Sequence, residues 1–289
     1  MTGTFFQGVM QGLAIGGIYG LITLALTAVY SVTRLLNFAH GDLMVVAMYL
    51  TLQLSRSIGV DPYLTALILA PAMFGLGMAL FYAIFRPLLQ THVLLVIQVT
   101  LGVGFVIQSA LMMIYSSNYQ TVQTFISGDR IVLWGIMVQL SHIVVFLASV
   151  AIAATLYWLQ QHTTFGREVR AVAEDSVAAA LCGVNVRWVQ MIVFAGAVGM
   201  LGLIGPLVAP VFVFEPTFGL HLSLVAFIVL ILGGVTNFLG TFVAGLIIGL
   251  AESLGKLYME PPEFGAAVPY LIFILFLLFR PSGVMGASR

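Results

Sequence analysis

The chain alternates long charge-free stretches with short polar breaks. No Asp, Glu, Lys or Arg occurs from Met1 to Thr33, from Pro62 to Phe85, from Pro87 to Gly128, or from Trp188 to Phe214. An amphipathic helix on a water-soluble core places charges every few residues along its outer face. These stretches have no such face. A helix needs about 20 mostly apolar residues to cross a bilayer, and the runs supply that length. The pattern predicts an all-α fold, a polytopic transmembrane helix bundle of about nine spans (about eight to ten) with soft edges. The predicted spans are Gly8–Val32, Asp42–Leu54, Pro62–Phe85, His92–Tyr115, Gly135–Gln160, Trp188–Ala209, Leu220–Gly234, Gly240–Leu254 and Ala267–Phe279. The second is short and reads as a broken helix or one leaning on its neighbours. A β-barrel would show alternating segments of about 10 residues, which these continuous runs are not. The whole chain, 1–289, reads as a single transmembrane domain with a distinct inner segment at 162–187.

Composition sharpens this picture. Hydrophobic residues make up 61% and charged residues 7%, against about 25% charged in soluble domains. Net charge is zero, so nothing attracts nucleic acid, and the single cysteine, Cys182, excludes an internal disulfide. The first basic residue is Arg34, which argues against a cleavable signal peptide with a positive start. With the N-terminus outside, the inner loops hold Arg34, Arg86, Arg167, Arg170, Arg187, Arg280 and Arg289, and the outer ones Arg56, Arg130 and Lys256. The positive-inside rule favours that arrangement and a cytoplasmic C-terminus. An eight-span version with the N-terminus inside stays open.

Glycine spacing suggests close helix contacts. Gly8, Gly12, Gly16 and Gly20 recur every four residues, and Gly245 and Gly249 repeat the interval. Small residues at that spacing let backbones approach in lipid. The alternative is a glycine face, centred on Gly12 and Gly16, that lines a translocation path.

The segment His162 to Arg187 is the one inner connection long enough to carry its own helix. Thr164 suits an N-cap, Glu168 the positive helix end, and Gly183 a stop. Val169, Ala173, Val177 and Ala180 recur at helical spacing, so a short amphipathic helix is expected over Arg167–Cys182. Its mixed charge suits docking on a protein partner more than lying on lipid.

No catalytic constellation is present, and no cofactor or metal is expected. The five histidines are scattered. Gly249-Leu-Ala-Glu-Ser-Leu-Gly255-Lys256-Leu257 has one residue too many for a phosphate loop and lacks the following Ser or Thr. If transport is ATP-driven, the motor is on another polypeptide. Ionisable residues inside a membrane are costly and so are candidate sites. Glu252 reads as an i,i+4 ion pair with Lys256 at the outer end of its span. Asp42 reads as a cap on the second helix and Asn37 as a chain-turning residue. The functional alternative makes Asn37, His40, Gly41 and Asp42 an irregular backbone lining a path, which lipid permits only where it faces protein or water.

Several strings resemble one family. Leu13–Tyr30 followed by Leu36-Asn37-Phe38-Ala39-His40-Gly41-Asp42 is similar to the permease subunits of branched-chain amino-acid ABC importers, of the H type. Gly166-Arg-Glu-Val-Arg-Ala-Val-Ala-Glu-Asp175 looks like that family's cytoplasmic coupling segment. Leu232-Gly-Gly234 with Gly240 and Gly245 looks like its late glycine-rich span, and Arg280-Pro-Ser-Gly283 like its C-terminal signature. The chain departs from the pattern at His221, Val225, Thr236 and Leu239. The resemblance implies a second related permease, two cytoplasmic ATPase subunits, a periplasmic substrate-binding protein and a bacterial inner membrane. It implies that Gly166, Arg167, Arg170, Ala171, Glu174 and Asp175 touch an ATPase, and that the chain is not itself an enzyme. Relatives that move urea, amides or aromatic acids, and a stand-alone channel or secondary transporter, are the competing readings.

Overall fold

A computed structural model describes residues 2–89, 91–128, 130–133 and 136–279. In chain order the helices are α1 (Thr2–Thr33), α2 (His40–Ile58), α3 (Pro62–Leu88), α4 (Val93–Tyr115), α5 (Leu140–His162), α6 (Thr164–Glu174), α7 (Ser176–Leu181), α8 (Val186–Val208), α9 (Phe218–Gly233), α10 (Phe238–Tyr258) and α11 (Glu263–Phe279). A short antiparallel ribbon, β1 (Arg130–Leu133) and β2 (Ile136–Gln139), precedes α5.

Local chemistry fixes many of these boundaries. Asp61 accepts from the Tyr63 amide at 2.9 Å, and Pro62 opens α3 without needing a partner for a missing N–H. Asn185 caps α8 through the Trp188 amide and Asn237 caps α10 through the Gly240 amide. Gly59 ends α2 with a φ of 70°, a conformation open to glycine. Near its end, α3 widens into a π-turn over Phe81–Phe85.

Each predicted span lies on a helix, but the count of about nine does not carry over. Among the described residues six helices are long and apolar enough to cross a membrane: α1, α3, α4, α5, α8 and α10. α9 and α11 are apolar but shorter, at 16 and 17 residues. α2, at 19 residues, carries Asp42 and Arg56 and has polar positions along its length. The predicted fifth span starts too early, because 136–139 pair as a strand and the helix begins at Leu140. The Arg280–Gly283 string and Arg289 lie outside the described residues.

Large apolar side chains cover the outside of several long helices. Leu67, Val106 and Met113 are 77%, 70% and 87% exposed. In water such faces would be costly at about 25 cal/mol per Å²; in a bilayer they meet lipid. Together with the lengths of the helices, they make this a multi-pass membrane protein.

Two compact units emerge. The first comprises Met1–Leu24, Gln123–Ala153 and Leu224–Arg289. Its centre is the antiparallel pairing of α1 with α10. A side chain at Gly12 would meet the Leu250 Cα at 2.9 Å, and one at Gly16 the Leu246 Cα at 2.7 Å. From the other side, Gly245 and Gly249 abut the backbone of Gly20 and Gly16. The glycine stripe is therefore spent on backbone contact, with Gly12 and Gly16 closed off by α10. Buried polar groups fasten the same seam. Ser253 donates to the Gly8 carbonyl at 2.7 Å, and the Tyr19 hydroxyl donates to Glu252 at 2.9 Å. Glu252 also takes the expected ion pair with Lys256, at 2.5 Å. Yet Glu252 is only 1% exposed, so it is a core carboxylate and no surface group.

The second unit comprises Ala25–Val122 and Ala154–Ser223. Here α3 and α8 run antiparallel in close contact. Positions 199 and 202 of α8 face Phe74, Ala70 and Leu69, and Gly77 of α3 faces Ala195. Gly205 turns instead to Ala47 of α2, and Gly196 has open space beside it. Glycines three apart drift around a helix of 3.6 residues per turn, so they serve different neighbours.

Candidate coupling segment and buried helix break

The segment after α5 folds as two helices where one was expected. Thr163, and not Thr164, caps α6, accepting from the Gly166 amide at 2.9 Å. Asp175 interrupts the run. Its backbone is extended, and its carboxylate accepts from the Val177 and Ala178 amides at 2.8 and 3.0 Å to start α7. An aspartate that bonds the backbone ahead of it competes with helix continuation. Gly183, at φ 89°, then ends α7, with Val184 N–H bonded to the Ala179 carbonyl and Gly183 N–H to that of Ala180. This is a Schellman closure.

The residues expected to meet a partner divide into two groups. Gly166 and Arg170 face inward. Any side chain at 166 would strike the carbonyls of Leu159 and Gln160, and the Arg170 guanidinium donates to the Gln160 carbonyl. Both hold α6 against the end of α5. Arg167, Ala171, Glu174 and Asp175 are exposed. Val177 and Leu181 are 70% and 85% exposed, apolar, and absent from the set chosen by sequence. The buried face of the pair, Val169, Val172 and Ala179, packs with Val32, Val189 and Val193 at the ends of α1 and α8.

A polar thread leads from this segment to the break between α1 and α2. Arg34, with φ 57°, donates to the Ala173 carbonyl at 2.8 Å, a cation at the C-terminal end of α6. Gln190 donates to the Val32 carbonyl at 3.0 Å, meeting one of the orphan acceptors at the end of α1. Beyond Arg34 the chain is irregular through residue 39 and largely buried. Asn37 turns it as expected, its side chain accepting from the Ala39 amide at 3.0 Å.

Asp42 does not cap α2. The helix starts at His40, and the residue at its N-cap position, Ala39, supplies no side-chain bond. Asp42 instead lies in the first turn, 4% exposed, accepting from Gln108 of α4 at 2.9 Å. The positive end of α2 favours its charge. Gly104 and Gly219 leave the room it occupies: a side chain at either would run into the carboxylate. Beside it, Ser223 of α9 accepts from the Gly41 amide at 2.9 Å and donates to the Phe38 carbonyl at 2.8 Å. Gly41 sits against the Gly219 carbonyl. His40, Gly41 and Asp42 are all buried. The break is thus irregular backbone satisfied by protein at the junction of α2, α4 and α9. Its partners Gly104, Gln108, Gly219 and Ser223 went unnoticed in sequence. Each pair is four residues apart, one small and one polar residue on one face of an apolar helix, which is the available signal.

Among the described residues no group of His, Cys, Asp or Glu could hold a metal ion. The chemistry present is helix-end electrostatics and backbone satisfaction.

A model of the family described as the permease component of branched-chain amino acid transport systems matches residues 8–277. The high-affinity branched-chain amino acid transport system permease protein LivH of Salmonella typhimurium is 27% identical, over 98% of this chain and 96% of that protein. The corresponding protein BraD of Pseudomonas aeruginosa is 25% identical over the same shares, 98% and 96%. A probable branched-chain amino acid transport permease of Methanocaldococcus jannaschii is 25% identical over 93% and 88%. No solved structure matches the chain.

Proposed function

Because the chain belongs to the permease-component family of branched-chain amino acid transport systems, we propose that it is one transmembrane subunit of an ATP-driven importer. In this reading it lies in a bacterial inner membrane with its C-terminus and the 162–187 segment in the cytoplasm. It pairs with a second, related permease. Two ATPase subunits dock on the cytoplasmic face, and a periplasmic binding protein delivers branched-chain or similar apolar amino acids. ATP is hydrolysed on the partner subunits.

The observation that carries the reading is the paired helix α6–α7. It buries one face on α1 and α8 and leaves Val177 and Leu181 bare beside Arg167, Glu174 and Asp175. An apolar anchor with a charged rim is what a docked helix presents to a groove. Movement imposed on α6 reaches the helix break by a short route. It pulls on Arg34 through the Ala173 carbonyl, and Arg34 is three residues from Asn37. The break in turn is bonded to α9 by Ser223 and to α4 by Gln108. Rocking of helices about that junction is the proposed alternating-access step.

The test uses exposed positions, since Arg170 is committed to Gln160. Val177→Asp with Leu181→Asp should reduce co-purification of the ATPase by about 30-fold or more, the loss expected for removing an apolar hot spot. Uptake should fall with it, while membrane insertion is unchanged. Normal ATPase association and uptake in that variant would rule the docking role out.

A further inference from the structure

A cavity of about 540 Å³ opens on the second unit between the end of α3 and the start of α8. Ligand sites commonly enclose about 300–1,000 Å³. Arg86 and Arg187 line it together with Tyr82 and Trp188, and Phe81 and Met191 lie among its walls. No carboxylate is among its described lining residues. Neither guanidinium has a hydrogen bond or ion pair among the described residues; that of Arg86 sits 6.0 Å from the Tyr82 ring centre.

Arg86 and Arg187 are both exposed, so the cavity presents two positive charges with no carboxylate among its described lining residues. Guanidinium binds phosphate oxygens in a bidentate fork. The rest of the lining argues where that phosphate comes from. Tyr82 and Trp188 are 56% and 46% exposed, with the amphipathic rings that settle at the headgroup level of a bilayer. The arginines stand at the ends of two apolar helices long enough to cross a membrane, which places them at the same level. Phe81 and Met191 continue the cavity toward the apolar side. A basic pocket between spans with an apolar floor matches a headgroup above its acyl chains. We infer that this cavity binds an anionic phospholipid, its phosphate held by Arg86 and Arg187 and its glycerol and chains resting on Trp188 and the α3–α8 surface. Because Trp188 also meets Phe165 of α6 edge-on, with ring centres 5.7 Å apart, a bound lipid would brace the coupling segment.

Mass spectrometry of the intact purified chain, equilibrated with phosphatidylglycerol and phosphatidylcholine of the same acyl length, tests this. The wild type should retain phosphatidylglycerol preferentially, and rising salt should erode the preference. Arg86→Gln or Arg187→Gln should lower it about fivefold each and the double variant about 25-fold. Arg→Lys at both sites keeps the charge but loses the fork, and should fall between the wild type and the double Gln variant. A double variant that retains the preference overturns the proposal. So does full displacement of phosphatidylglycerol by millimolar inorganic phosphate, which would make this a soluble-anion site. Unchanged lipid binding with lost ATPase association would make it a protein-docking face, also against the proposal. Should the variants aggregate, a salt-insensitive preference in the wild type would be equally fatal.

Discussion

Removing one hydroxyl should loosen the helix break. In Ser223→Ala, the Gly41 amide loses its acceptor at 2.9 Å and the Phe38 carbonyl its donor at 2.8 Å. Ser223 and Gly41 are buried, so water does not readily replace the hydroxyl at that amide. A buried polar group left without a partner costs about 1–3 kcal/mol, which is the loss expected at the Gly41 amide. Ser149→Ala is the matched control. That serine is equally buried, but its hydroxyl bonds only the Val145 carbonyl one turn back in its own helix. That carbonyl keeps its helical partner, so the change should cost about 1 kcal/mol or less. Thermal unfolding of the purified protein in detergent ranks the two variants, and hydrogen exchange over residues 35–45 locates the effect. Faster exchange there in Ser223→Ala, and not in Ser149→Ala, is expected. Equal stability and equal exchange in both variants would refute the claim that Ser223 holds the break.

Three further outcomes follow from the packing. Gly249→Ala should destabilise by about 1–3 kcal/mol through overpacking against the Gly16 backbone, whereas Gly196→Ala, with open space beside it, should be neutral or stabilising in the same unfolding assay. The Tyr49 hydroxyl is buried without a partner among the described residues, and its ring packs 4.5 Å from that of Tyr115 and 5.1 Å from that of Phe214; Tyr49→Phe keeps those contacts and should raise the unfolding midpoint or leave it unchanged. Lys256→Ala strands the Glu252 carboxylate with Tyr19 alone and should lower stability more than Lys256→Ala combined with Glu252→Gln, which a thermal comparison of the two detects.

Sequence made the helical character legible because lipid forbids charge over whole spans, and gaps in charge are easy to see. The count was harder. α2, α9 and α11 carry apolar faces but are short or polar, and hydropathy alone does not separate a crossing helix from one packed inside the bundle. The glycine stripe of α1 was readable from its spacing, although its partner, the Gly245–Gly249 face, is more than 200 residues distant and only the three-dimensional contact joins them. In the coupling segment the apolar periodicity was visible, and Gly183 as a stop was too. What periodicity missed was the competition at Asp175, whose side chain favours restarting the helix over continuing it. Arg170 looked like a partner-facing charge because sequence shows its polarity but not the Gln160 carbonyl beside it. Asp42 was singled out as an ionisable group between spans, yet its role depended on Gly104 and Gly219 leaving room for it, a relation between distant helices.

The central claim, that the α6–α7 surface meets an ATPase in the cytoplasm, has a direct test in the chain itself. Cys182 is the single cysteine and is exposed, one residue beyond α7. A photoactivatable maleimide attached there, in membranes holding the assembled transporter, should cross-link to the ATPase polypeptide on illumination. Cross-links confined to lipid or to a periplasmic protein would contradict the account.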